Sequence, residues 1–299
     1  MWGTPQLSAI ASEAIDRFGR IDTWVNVAGV DIWGKLADLD DEDARRLFDT
    51  NFWGVVHGSR AAVRAMNKMG GALINVGSIA GDRSFPMQGM YCASKHAVKA
   101  YTDALRVELA ADSIPISVTL IKPASIGTPL QRQAKNLMDQ EPRLPSPLYA
   151  PEEVANAILH AAVTPVRDIN VGSAGWVIAA IGTLAPAFTD WLGKTVLISS
   201  QKSGRPALPR VDNLHNAGPR GGVIRDDPEG RTMRASIFTR VVLQPPAVKA
   251  ALVLAGVGLL LQALPNRRAN TAPARLAGMI ELVPTLVALS SALSKRARR

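Results

Sequence analysis

Apolar positions along this chain fall into short blocks that alternate between two spacings. Over residues 7–18 they recur at helical intervals, and Phe18-Gly19-Arg20 supplies a glycine stop. Residues 23–27 form a short apolar run leading into Ala28-Gly29, the pattern of a buried strand entering a loop. The acidic stretch 38–43 opens a helix that continues through Val63, bent near Gly54 and Gly58. Acidic residues at its start suit the positive end of the helix dipole. Residues 72–76 read as the next strand, with Ser78 just past its end, and 91–111 read as a long helix free of Pro and Gly. A third strand spans 116–121 and stops at Pro123. After a loop marked by Pro145, Pro147 and Pro151, a helix covers 152–162 and a fourth strand 168–171. Strands alternating with helices predict an α/β fold, a doubly wound parallel sheet covered on both faces.

The pattern changes after residue 199. From 200 to about 239 Gly, Pro, Arg, Asp and Asn dominate, so 200–246 reads as a linker between a body at 1–199 and a helical appendage at 247–299. Residues 247–264 carry one charge, Lys249, and are just long enough to span a bilayer with flanking help. A second apolar stretch, 276–293, is interrupted by Glu281 and Pro284. Three readings of the appendage compete: a helix in or on a membrane, a hairpin packed on the body, and disorder or a dimer contact. Charge follows the same division. The net charge of +9 is −2 over residues 1–200 and +11 over 201–299, so the basic character belongs to the tail. That asymmetry suggests an anionic surface as its partner, but no aromatic pattern or motif supports nucleic acid.

A single cysteine, Cys92, excludes an internal disulfide and a cysteine zinc cluster, and it reads as a small buried hydrophobe. His57, His96, His160 and His215 have no metal-ligand spacing, so no metal site is expected. Residues 1–20 lack the basic start and apolar stretch of a secretory signal, which places the body in the cytoplasm, with the tail as its route to a membrane.

The chemistry is concentrated in Tyr91-Cys92-Ala93-Ser94-Lys95. A spacing of four on a helix puts Tyr91 and Lys95 on one face, and a neighbouring ammonium favours the phenolate. Alone this pair is weak evidence. Its companions are Ser78 in Asn75-Val76-Gly77-Ser78-Ile79-Ala80-Gly81, Asn51 in Asp49-Thr50-Asn51-Phe52-Trp53-Gly54, and the strand end Asn26-Val27-Ala28-Gly29. In identity and order these motifs resemble the short-chain dehydrogenase/reductase (SDR) family. The resemblance runs from about Leu7 to Pro129 and more weakly to about Ser173.

The resemblance implies an NAD(P)-dependent oxidoreductase with a Rossmann-like sheet, acting on a small carbonyl or alcohol and assembling as a homo-oligomer. Tyr91 would be the general acid/base, and Ser78 would hydrogen-bond the same substrate oxygen. Lys95 would lower the Tyr91 pKa and bind the nicotinamide ribose. Asn51 would kink its helix and hold a water on the path from Lys95 to solvent. In Pro123-Ala124-Ser125-Ile126-Gly127-Thr128, Pro123 and Ala124 would border the nicotinamide, Ile126 would offer backbone groups to its carboxamide and Thr128 a hydroxyl. Ala124 stands where the family usually has Gly. Asn26, Ala28 and Gly29 match the family's Asn-Asn-Ala-Gly turn, which steadies the sheet and lines the adenosine ribose, with Val27 replacing the second Asn. Residues 83–90 and 131–148 should line the substrate pocket.

In that family layout the first strand is followed by a glycine-rich turn that holds the pyrophosphate. No such turn precedes Asn26, so the expectation is a truncated sheet lacking about two βα units and a weakened grip on the dinucleotide. The residue that chooses NAD or NADP would lie in the missing part. The rival reading is a catalytically silent SDR-like scaffold.

Overall fold

A computed structural model describes residues 4–251, apart from 67, 217–222, 227–231, 246 and 249. Four parallel strands form its main sheet: β1 (Thr23–Asn26), β2 (Gly71–Val76), β3 (Ile116–Pro123) and β4 (Asp168–Val171), adjacent in that order. Thr23 lies opposite Ala72, Gly71 opposite Ile116, and Leu120 opposite Asp168. The crossovers are helical, as parallel strands require. Helix α1 (Thr4–Phe18) precedes β1; α2 (Asp41–Phe48) and α3 (Gly54–Met66) join β1 to β2. Helix α4 (Gly89–Ala111) leads to β3 and α5 (Pro151–Val163) to β4.

Side-chain alternation explains why the sheet needs both layers. Leu73 of β2 and Ile116 and Val118 of β3 share one face, where they form a core with Ala62 and Met66 of α3 and Leu109 of α4. Leu120, of the same parity, packs with Val55 and Val98. The opposite parity, Ala72, Ile74 and Ile121, is equally buried and belongs to the face on which α5 packs with Ala157 and Ala161. A strand buried on both sides is mostly apolar, which is why 72–76 reads as a nearly continuous run, interrupted by Asn75.

Strand and helix positions agree closely with the sequence pattern; the exceptions are informative. The helix expected from 38 through 63 starts at Asp41, capped by the Asp40 carboxylate accepting from the Glu42 amide at 2.7 Å. It is interrupted at Asp49–Trp53, by a π-helical turn rather than at a glycine. Beyond residue 199 the described chain is tied to the body. Lys202–Pro206 pairs antiparallel with Gln140–Pro142, and Thr232–Met233 pairs parallel with Leu148–Tyr149. Leu214 is fully buried, and its carbonyl oxygen accepts from Arg46 Nε at 2.8 Å. The chain divides into two compact units after Thr239.

Helices Ser173–Leu184 and Pro186–Leu192 follow β4 and leave Leu184, Phe188 and Trp191 exposed. Among the described residues no helix is long and apolar enough to cross a membrane. The apolar stretch 276–293 and nearly all of 247–264 lie outside the described residues.

Candidate active site

The carboxyl ends of the four strands and the loops beyond them enclose a cavity of about 470 Å³. A crevice beyond the strand ends is where open α/β sheets carry their ligands. Ser78, Tyr91 and Lys95 line it together, as do Gly29, Pro123, Ala124, Ile126 and Thr128. Three other expected residues lie outside the wall. Asn51 is fully buried behind it; Asn26 is held within the sheet's polar network; Ala28 is exposed. Phe85 and Gln88, from 83–90, and Gln131 and Leu144, from 131–148, line the same cavity.

Each polar group is placed by local structure. Ser78 leaves β2 in an extended conformation and caps the short turn Ile79–Gly81, its Oγ accepting from the Ala80 amide at 3.1 Å. That turn rests on α4 so closely that a Cβ on Gly81 would come within 2.6 Å of the Lys95 carbonyl oxygen. Only glycine permits this approach, which sets Ser78 and Tyr91 on the same cavity wall. One turn along α4, Lys95 is buried and donates from Nζ to the Val76 carbonyl oxygen at 3.2 Å. Its ammonium stands 5.7 Å from the centre of the Tyr91 ring.

Asn51 occupies the π turn between α2 and α3. Its Oδ1 accepts from the Val30 amide at 2.8 Å, and its Nδ2 donates to the Val30 carbonyl oxygen at 2.9 Å and to Ser94 Oγ at 3.1 Å. The side chain therefore imitates a strand partner for the loop after β1 and ties it to α4. Deeper in the sheet, Asn26 Nδ2 donates to Asn75 Oδ1 at 2.8 Å, and Asn75 Nδ2 donates to Thr102 Oγ1 at 3.0 Å. Asn75 and Thr102 are fully buried, so this chain of amides fixes β1 against β2 and α4. Val27, in place of a second asparagine, is 60% exposed.

The electrostatics depart from the expectation that Lys95 sets the Tyr91 pKa. Burial pushes the phenol above its ordinary range, the nearby Asp31 carboxylate adds to the rise, and the hydrogen bond with Ser78 opposes it. Burial also depresses Lys95 to about 8, with Asp31 opposing. Asp31 itself is 2% exposed, and burial pushes it up to about 7 against hydrogen bonds from Gln88 and Ile32 and the charge of Lys95. Nothing in the sequence marks Asp31, since a polar residue two positions past a glycine turn is ordinarily solvated. Cys92 is buried, its sulfur accepting from the Phe85 amide at 3.3 Å and its thiol pushed up to about 11 by burial. Among the described residues no cluster of His, Cys, Asp and Glu could hold a metal ion.

Comparison with known proteins gives this geometry its context. Residues 4–138 match the family model for short chain dehydrogenases. An uncharacterized oxidoreductase of Bacillus subtilis, YxnA, is 42% identical over 255 residues, spanning 84% of this chain and 71% of that protein. The chain belongs to the short-chain dehydrogenase family. Membership makes it an NAD(P)-dependent oxidoreductase by class. Dehydrogenase/reductase SDR family member 7B of Danio rerio is 30% identical over 180 residues, 58% of this chain and 57% of that protein. The fold agrees with solved SDR structures. A short chain dehydrogenase from Burkholderia cenocepacia in complex with NADP superposes with a TM-score of 0.53 at 26% identity, covering 64% of this chain and 76% of that one.

Proposed function

We propose that this SDR reduces an apolar ketone or aldehyde, or oxidises the corresponding alcohol, with Tyr91 as proton donor and acceptor. The observation that carries the reading is the convergence of Ser78, Tyr91 and Lys95 on one cavity wall.

The residues around the cavity fit the nicotinamide end of a dinucleotide. The volume lies within the range of cofactor and ligand sites. Lys95 spends one of its three ammonium protons on Val76, which leaves two for ribose hydroxyls. Gly29 and Ala124 keep the wall shallow beside it, and Ile126 and Thr128 would meet the carboxamide. A nicotinamide held there supplies the hydride. The NADP in the Burkholderia structure supports a nicotinamide cofactor here.

The protein's own part is to manage charge on the substrate oxygen. In the reducing direction Tyr91 gives its proton to the carbonyl oxygen as carbon becomes a carbinol, while Ser78 donates a hydrogen bond to the same atom. The raised Tyr91 pKa suits that direction, since the phenol stays protonated at neutral pH. Phe85, Leu144 and other apolar side chains give the substrate end an apolar lining. A silent scaffold would have no use for a buried lysine beside a tyrosine–serine pair, because burying an ammonium costs stability.

Titration with NADPH and NADH, followed by nicotinamide fluorescence, should show saturable binding that Lys95→Met weakens by roughly tenfold, as loss of charge-assisted hydrogen bonds to the ribose predicts. Binding unchanged in Lys95→Met would overturn the assignment of this cavity to the cofactor.

A further inference from the structure

A carboxylate shares the cavity with the Tyr91–Ser78–Lys95 group and has no part in the mechanism above. Asp31 lies two residues beyond Gly29, is 2% exposed and lines the cavity. Its Oδ1 accepts from the Ile32 amide at 2.8 Å, and its Oδ2 accepts from Gln88 Nε2 at 2.6 Å. Gln88 is 8% exposed, lines the same cavity and stands at the start of α4, three residues before Tyr91. Successive polar groups, the Asp31–Gln88 pair, Tyr91 and Lys95, are thus offset by one helical turn each along the edge of the cavity.

A purely structural role does not account for the acid. The loop after β1 is already fastened by Asn51 through both polar backbone groups of Val30. A clamp between that loop and the start of α4 needs only an acceptor, which an asparagine would supply without burying an ionisable group. The hydrogen-bonding capacity of the pair is also partly unspent. A carboxylate has about four acceptor positions, and two are engaged here. Among the described residues, Gln88 keeps its carbonyl oxygen and its second amide proton. The remaining capacity lies in a largely apolar cavity, where a matched hydrogen bond discriminates strongly between substrates. Burial holds the Asp31 carboxyl near neutrality, up to about 7, so the group stays a strong acceptor without full charge at working pH.

We propose that Asp31 and Gln88 form a substrate-orienting subsite that receives a hydroxyl carried one or two carbons from the reacting carbon, making the preferred substrates vicinal or near-vicinal diols and hydroxy ketones. The inference rests on the oxidoreductase reading of the same cavity and adds its substrate class. The second hydroxyl anchors the molecule at the Asp31–Gln88 end, and the first is left to Tyr91 and Ser78. Asp31 is a specificity residue in this account, since it takes no proton from the reacting oxygen.

Binding tests the subsite without requiring turnover. Hexane-1,2-diol and hexan-2-ol, which differ by the added hydroxyl, are titrated into the full-length chain by ligand-observed NMR. The diol is expected to bind roughly tenfold more tightly, the worth of one additional hydrogen bond to the Asp31–Gln88 pair. Asp31→Asn and Gln88→Met, both near-isosteric, should each bring the ratio to within about threefold of unity. Equal binding of the two probes to the wild type, binding of neither, or a diol preference intact in both variants overturns the proposal. The oxidoreductase reading is judged separately by dinucleotide binding and hydride transfer, so a failed subsite and a failed enzyme give different results.

Discussion

Asp31, Tyr91 and Lys95 form a set of buried ionisable groups whose pKa values are moved mainly by desolvation. The consequence for stability has a definite sign at Asp31. Its folded-state pKa, about 7, lies above the reference value of 3.8, so the native protein binds this proton more tightly than the unfolded chain does. Its contribution is therefore present below pH ~4 and is lost as pH rises towards 7, on the order of 4 kcal/mol in all. Asp31→Asn removes that loss. Relative to wild type, the variant should gain stability by a few kcal/mol between pH 4 and pH 7 in urea denaturation. A difference that is flat across this window would show that Asp31 is not held near neutrality. None of this was legible in the sequence, because the burial of Asp31 depends on Gln88, 57 residues away, closing over it. Tyr91, Lys95 and Ser78 could be singled out from spacing along one helix and one strand end, and the structure brings the three to one cavity.

Among the elements, strands were the easiest to read and helix interruptions the hardest. The run at 72–76 lies inside a sheet covered on both sides and is apolar except for Asn75, whereas the edge strand 168–171 alternates buried Ile169 and Val171 with half-buried Asp168 and Asn170. The glycines led to an expected bend near Gly54 and Gly58, and the family resemblance to a kink at Asn51; the interruption falls at Asp49–Trp53, which holds Asn51 and ends just before Gly54. The π turn there carries Asn51, fully buried and bonded to both backbone polar groups of Val30. Its position follows from a tertiary tie that no local propensity records. Replacing Asn51 with Ala should strand the Val30 amide and carbonyl inside the protein, with a cost of about 2–4 kcal/mol by denaturant unfolding. A cost under roughly 0.5 kcal/mol would mean that the loop after β1 is held by other contacts. The stretch after residue 199 was misread for a related reason: composition showed few apolar residues, but one of them, Leu214, is completely buried. Asp43 strengthens that attachment. Its own burial favours the neutral acid, but hydrogen bonds from Lys135 and His215 overcome this and lower its pKa.

For the molecule as a whole, the fold places the ends of four parallel strands around one cavity, and membership of the short-chain dehydrogenase family agrees with the chemistry that the cavity displays. Fold and family could be anticipated because strand–helix alternation and a handful of motifs suffice for both. Substrate class could not, since it depends on side chains from separate loops meeting at the cavity wall. The central claim is that Tyr91, with Ser78 and Lys95, performs hydride-linked proton transfer in this cavity. Its most direct test is to incubate the protein with medium-chain ketones, with and without a neighbouring hydroxyl, and NADPH or NADH deuterated at C4, then examine the products by mass spectrometry. The account predicts deuterium at the new carbinol carbon, formed at a rate that falls by about 10²-fold or more in Tyr91→Phe. Deuterium transfer that proceeds equally well in Tyr91→Phe, or none from either dinucleotide in the wild type, would contradict it.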